Sequence, residues 1–182
     1  MASSHKKSAS LKTIKEQEVS LHLEKFFNSS LGITLSSKQV VRELIRFMEV
    51  DTFADYKITI GSDYENKSNG TVDFVSAIVI HRVGNGGRYF WRRVVAEKKF
   101  HTLRERLLEE VLLSLETAHD LISTTKKLSL PEFSFEIHVD VGEHGKSKSM
   151  MQDLVGMVRA NNFEARTKPD SYAASKVADR HT

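Results

Sequence analysis

The 182-residue chain has no cysteine. That excludes disulfides, thiol nucleophiles, thiolate zinc sites and iron–sulfur clusters in one step. Any metal would have to be held by carboxylate, imidazole or carbonyl groups, and where carboxylates dominate, such ligands favour hard ions like Mg2+ or Mn2+. No apolar run approaches the roughly 20 residues a membrane span requires. Met1–Ser10 is polar and basic and lacks the apolar segment of a secretory signal. A large charge of one sign is missing too. The 27 Lys and Arg against 24 Asp and Glu leave +3, and a pI near 9.0 permits a nucleic-acid partner without demanding one. The expectation is a soluble, cytoplasmic, globular protein with no membrane partner, as monomer or homodimer. This length suits one domain and buries about 70% of the surface of its unfolded chain, enough for a core without covalent staples.

Patterning divides the chain into three stretches. Residues 1–10, rich in Ser, Lys and Ala, read as a disordered basic tail. Residues 11–35 read as an N-terminal helical extension, with a helix over Leu11–Phe27 whose apolar stripe is imperfect. Residues 36–182 read as the folded domain. It opens with a helix: Ser36 and Gln39 fit a capping box, and Val40, Val41, Leu44, Ile45 and Met48 follow at helical spacing.

The period then changes. Tyr56, Ile58 and Ile60 alternate with polar or small residues and lead into Asp63, as a strand would. Thr71–Val83 is a second strand. Gly84-Asn85-Gly86-Gly87 signals a hairpin, and Arg88–Lys98 returns as a third strand. A long helix runs from His101 to about Ser123, with a capping box at Thr102 and Glu105 and a stripe of Leu103, Leu107, Leu108, Val111, Leu112 and Leu115. A fourth strand over Phe133–Val141, a helix over Ser147–Ala160, a short fifth strand near Phe163–Thr167 and a last helix over Asp170–Arg180 complete the order. Three hairpin-linked strands followed by alternating helices and strands predict an α/β fold with a five-stranded mixed sheet flanked by helices. This is the element order of the ribonuclease H-like fold, carried here behind the helical extension.

Four acids stand at places where one site would collect them. Asp63 and Asp140 follow apolar runs at the ends of the first and fourth strands, which are neighbours in that topology. Carboxylates placed so close repel, and a divalent ion removes that cost. Glu110 lies at the edge of the long helix, about 110° from the centre of its stripe. Asp170 follows Pro169 at the start of the last helix. Each has a plainer alternative: a helix cap for Asp170, a solvated helix acid for Glu110, and turn chemistry for Asp63 and Asp140.

Basic residues supply candidate phosphate contacts. The hairpin around Arg92 and Arg93 is basic and interleaved with Tyr89, Phe90 and Trp91. That suits a nucleic-acid strand, or equally a charge-protected edge strand. Gly142-Glu-His-Gly-Lys-Ser147 is two residues short of a triphosphate-binding loop. Backbone N–H groups at the helix start, with Lys146 and Lys148, would still hold one phosphate; the alternative is a turn with a Ser147 cap. His144 in that loop is a candidate proton shuttle or a surface residue. His138 shares strand parity with Asp140 and reads either as a partner supporting that acid or, the favoured reading, as a packed core histidine.

The run Lys168-Pro-Asp-Ser-Tyr-Ala-Ala-Ser175, continuing to Asp179-Arg-His-Thr182, resembles the signature end of the YkuK-like family, uncharacterised bacterial proteins predicted to be related to ribonuclease H. Ile60-Gly-Ser-Asp63, Ile78-Val-Ile-His-Arg-Val-Gly84 and His138-Val-Asp-Val-Gly142, with Gly145-Lys-Ser-Lys148 after it, are similar to the family's first, second and fourth strand motifs, so the resemblance spans about Ser36–Thr182. Tyr64 departs from the small hydroxyl residue that the resemblance implies after Asp63. What the resemblance implies is a ribonuclease H-like fold and hydrolysis of phosphodiester bonds in RNA, DNA or a hybrid. Two Mg2+ or Mn2+ ions about 3.5–4 Å apart would be held by Asp63, Glu110, Asp140 and Asp170. A non-catalytic nucleic-acid-binding or scaffold module on the same fold is the alternative, because fold alone does not fix function.

Overall fold

The computed structural model describes residues 25–68, 71–96, 98–125, 130–143, 147–171, 176, 177 and 180. Among the described residues, seven strands and three α-helices follow in order: β1 (Phe26–Ser29), β2 (Thr34–Ser36), α1 (Ser37–Glu49), β3 (Tyr56–Asn66), β4 (Val72–Arg82), β5 (Gly87–Val95), α2 (Leu103–Thr125), β6 (Phe133–His138), α3 (Met151–Ala160) and β7 (Glu164–Arg166). A 3-10 turn over Lys148–Met150 leads into α3. The sheet order is β2-β1-β5-β4-β3-β6-β7. β3, β4 and β5 form an antiparallel meander, while β6 lies parallel to β3 and β7 parallel to β6. No helix among the described residues is long and apolar enough to cross a membrane.

Alternation along the strands builds the core. Ile58 and Ile60 of β3 stand opposite Ile80 and Ile78 of β4, and Ile60 also stands beside Ile137 of β6. This face meets Val40, Val41, Leu44 and Met48 of α1, Val111 and Ala118 of α2, and Leu154 and Val158 of α3 in one buried cluster. Both expected capping boxes are present. Gln39 Oε1 accepts the Ser36 N–H at 2.8 Å. Glu105 Oε2 accepts the Thr102 N–H at 3.0 Å, and Thr102 Oγ1 accepts the Glu105 N–H at 3.2 Å. The β4–β5 hairpin turns at Gly84 and Gly86, whose φ angles of +79° and +75° suit residues without a Cβ.

The structure departs from the sequence reading at several places. Phe26 and Phe27, expected to end a helix, lie in β1; the rest of that helix falls in residues 11–24, outside the described ones, apart from Lys25. β1 pairs with β2 and β5, so two short strands extend the expected five-stranded sheet to seven. Phe27 packs into the core from β1, which lies between β2 and β5. Second, β3 does not stop at Asp63 but continues to Asn66 against β4. Third, the buried face of α2 is rotated from the expected stripe: Glu110, Ser114 and Thr117 are buried, whereas Leu108 and Leu112 are 37% and 44% exposed. Fourth, the helix expected over Ser147–Ala160 begins as the 3-10 turn. Of the expected last helix, Asp170 sits in a turn and Lys176 and Val177 are helical, while most of the remainder lies outside the described residues.

Candidate active site

The site follows from strand register. The last pair between the parallel strands β3 and β6 is Gly61 with His138. Asp63 and Asp140 each stand two residues beyond it and share their strands' parity with that pair. Beyond Gly61, β3 keeps only β4 as a paired neighbour, since Asp63 is opposite Val75. The β6 chain turns away instead: the Val139 N–H bonds to Arg166 O and the Lys168 N–H to Val141 O, both toward the β7 side. The two strand ends diverge, and the acids line the opening.

α2 brings Glu110 to this opening. A row of hydroxyls ties the helix to the strands. Ser62 and Ser76 Oγ atoms are 2.8 Å apart, and Ser114 Oγ is 3.0 Å from Ser62 Oγ and 2.8 Å from the Glu110 carbonyl oxygen. Small polar side chains there let the helix approach β3 closely. Glu110 is 3% exposed, and neither of its carboxylate oxygens has a hydrogen-bond partner among the described residues. Burial pushes its carboxyl well above the ordinary range, and the charges of Asp63 and Asp140 push it further. The Tyr64 N–H and the Lys168 ammonium pull weakly the other way. The Tyr64 N–H completes its hydrogen bond with Asp63 Oδ1, at 2.9 Å, and not with Glu110.

Of the four predicted acids, Asp63 and Asp140 lie near enough to Glu110 for their charges to act on it, although the three do not stand in a ready cluster among the described residues. Asp170 does not join them: it is exposed in the turn after Pro169, and its charge acts on Arg166. Lys168, quoted in the sequence motif but given no role, is the cation at the site. Its Nζ lies 3.0 Å from Asp140 Oδ2, while Asp140 Oδ1 is buried without a partner among the described residues.

The predicted phosphate contacts separate. Arg92 and Arg93 are adjacent on β5 and so point to opposite faces of the sheet. Arg92 bonds to Glu116 of α2 at 3.0 Å and lies over the Phe27 ring. Arg93 bonds to Asp73 at 3.0 Å and approaches Glu65 at 3.5 Å. Both are committed to ion pairs, so they do not form one phosphate-binding patch. Lys148 is exposed beside Ser147, which makes no side-chain cap. His144 and Lys146, and with them the loop's phosphate-binding shape, lie outside the described residues.

A second buried carboxylate, overlooked in the sequence, sits on the same strand end. Glu136 of β6 is 3% exposed and accepts from Lys57 and Arg166, each at 3.2 Å, with His138 Nε2 at 3.6 Å. Burial pushes Glu136 up, but Lys57 and Arg166 outweigh it and hold the carboxyl below its ordinary range. Burial likewise pulls the His138 imidazole down, with Glu136 only partly offsetting it, and His138 is packed as expected. Strand parity was the available signal, since Lys57, Glu136 and His138 all point away from the helices.

The unpartnered oxygens of Glu110 and Asp140 make an oxygen-only donor set, which suits a hard divalent cation in chemistry. Among the described residues, no three His, Asp or Glu side chains stand in a ready metal-binding cluster. Comparison with known proteins gives two matches. The ribonuclease H-like family model matches residues 39–182. The uncharacterized protein YkuK of Bacillus subtilis (strain 168) is 30% identical over 167 residues, covering 86% of this chain and 96% of that protein. No solved structure matches significantly.

Proposed function

The chain belongs to the ribonuclease H-like family, and from that membership and the carboxylates around Glu110 we propose that it is a metal-dependent nuclease hydrolysing phosphodiester bonds of RNA or DNA. The observation that carries this reading is Glu110 itself. A buried carboxylate with no partner, facing two more carboxylates, is costly for the fold alone and is supplied with what it lacks by a cation. Asp63, Asp140 and Glu110 would hold Mg2+ or Mn2+, drawing closer together to do so. Such ions, when bound, activate a water and stabilise the leaving oxygen. The chain's own part is to place these acids at a divergent strand end open to a nucleic-acid backbone, to release the Glu110 proton as positive charge arrives, and to offer the Lys168 and Lys148 ammonium groups to phosphate oxygens.

A second reading, a nucleic-acid-binding module without catalysis, is favoured by one specific observation. The Lys168–Asp140 ion pair partly neutralises the site, and no ready three-ligand cluster stands among the described residues. Cleavage of labelled single-stranded RNA, single-stranded DNA and an RNA–DNA hybrid separates the two. Each is incubated with Mn2+, Mg2+ or chelator, beside Asp63→Asn and Asp140→Asn. The nuclease reading expects metal-dependent cleavage that both substitutions abolish. Binding of a strand without cleavage, unchanged in both variants, supports the binding module instead.

A further inference from the structure

Lys168 is held in place by three features. Its backbone N–H donates to Val141 O at 2.8 Å. Its side-chain stem crosses Gly142, where an added Cβ would stand 3.2 Å from Lys168 Cβ, so the absence of a side chain at Gly142 leaves room for the crossing. Its ammonium reaches Asp140 Oδ2 at 3.0 Å while the side chain remains 55% exposed. Among the charges that act most strongly on Glu110, Lys168 is the positive one. The ammonium thus sits on the carboxylate group that would ligate a cation, at the end of a flexible stem open to water. A lysine ammonium is a compact point charge that moves readily, and a part-exposed ion pair holds it only weakly.

We propose that Lys168 is the resident counter-ion of Asp140 and its neighbouring acids Glu110 and Asp63, and that a divalent cation binds by taking its place on Asp140. Metal loading is then an exchange of cations, and it releases the ammonium toward the substrate side. Lys168 sets how much free metal the protein needs before its acids are loaded. This inference rests on the nuclease reading for the identity of the ligands, not for its test.

The test is titration of metal-free full-length protein with Mn2+, followed by the electron paramagnetic resonance of free Mn2+ and by the shift in thermal midpoint. Lys168→Met and Lys168→Gln are compared with wild type. Arg104→Met serves as the control, because it removes an equal charge from an exposed pair with Asp153. Both Lys168 variants are expected to bind Mn2+ roughly ten-fold more tightly than wild type and to gain more thermal stability from it, with the control unchanged. Tightening in only one Lys168 variant, or equal tightening in Arg104→Met, overturns the exchange. Wild-type binding that neither Lys168 substitution alters also overturns it, and leaves the nuclease reading standing. Absence of Mn2+ binding in wild type and variants alike overturns both.

Discussion

Glu110 and Glu136 are equally buried, yet the protein treats them in opposite ways. Glu136 is surrounded by its own cations: Lys57 and Arg166 each contact Oε1, and the carboxyl is held ionised. Glu110 is surrounded by acids and held toward its protonated form. Burial costs both carboxylates the same kind of hydration, so the difference lies in where the compensating charge comes from. For Glu136 it is written into β3 and β7. For Glu110 the Tyr64 N–H and the Lys168 charge offset burial only in part, and a proton supplies the rest. A buried acid completed by its fold is a structural element; a buried acid left incomplete is where the proposed cation would bind.

The largest effect should come from breaking the completed side. Glu136→Ala leaves Lys57 and Arg166 without their shared partner. Both are part-exposed and regain some hydration, so the loss is about 2 kcal/mol rather than the larger cost of stranding a fully buried ion. The thermal midpoint should fall by roughly 4–8 °C in a chain of this length. A fall under 1 °C would remove Glu136 as a structural anchor.

The opposite sign is expected at the incomplete side. Glu110→Gln keeps the shape and removes the buried charge, so in metal-free protein at neutral pH it should raise stability by about 1 kcal/mol. The pH dependence gives the sign check. Glu110's folded pKa is raised, so its contribution is fully present below the unfolded value near 4.5 and is lost as pH rises toward the folded value. The advantage of Glu110→Gln should therefore grow with pH. Glu136's folded pKa is lowered, so its contribution is present above 4.5 and disappears as pH falls through the ordinary carboxylate range. Urea midpoints from pH 3 to 8 for wild type, Glu110→Gln and Glu136→Gln should show the two trends crossing. Parallel curves for the two variants would erase the distinction.

The smallest effect is expected at an ion pair that is neither buried nor incomplete. Arg104 and Asp153 are both more than 60% exposed, so Arg104→Met should change stability by no more than about 0.5 kcal/mol. A larger change would mean that surface pairs carry weight here and would weaken the contrast between the two glutamates.

Much of this was readable without coordinates. The alternation of Tyr56, Ile58 and Ile60, the turn at Gly84–Gly87, both capping boxes and the adjacency of the strands bearing Asp63 and Asp140 all followed from local physics. What escaped reading depends on packing between distant elements. A four-residue strand such as β1 is too short to show a period, and its pairing with β2 and β5 defines it. The face of α2 was misjudged because leucines surround much of that helix. Its buried side carries, beside Leu107, Val111 and Leu115, the polar residues Glu110, Ser114 and Thr117 at helical spacing; Ser114 meets a strand hydroxyl and, like Thr117, a carbonyl of its own helix, while the Glu110 carboxylate has no partner among the described residues. Arg92 and Arg93 were grouped by adjacency although neighbours on a strand face opposite ways. Lys168 could not be assigned, since nothing in the chain between Asp140 and Lys168 reveals that they touch.

The end of pairing at Gly61 and His138 also governs which length changes this chain can absorb. Inserting or deleting one residue between Gly61 and Asp63, or between His138 and Asp140, would turn that acid to the opposite face of its strand and dismantle the cluster at once. An equal change in the turn between β3 and β4 would leave both acids where they are. The molecule thus has a rigid gauge two residues long on each of two strands, set among connections free to vary, and the spacing of its chemistry is inherited from the pleat.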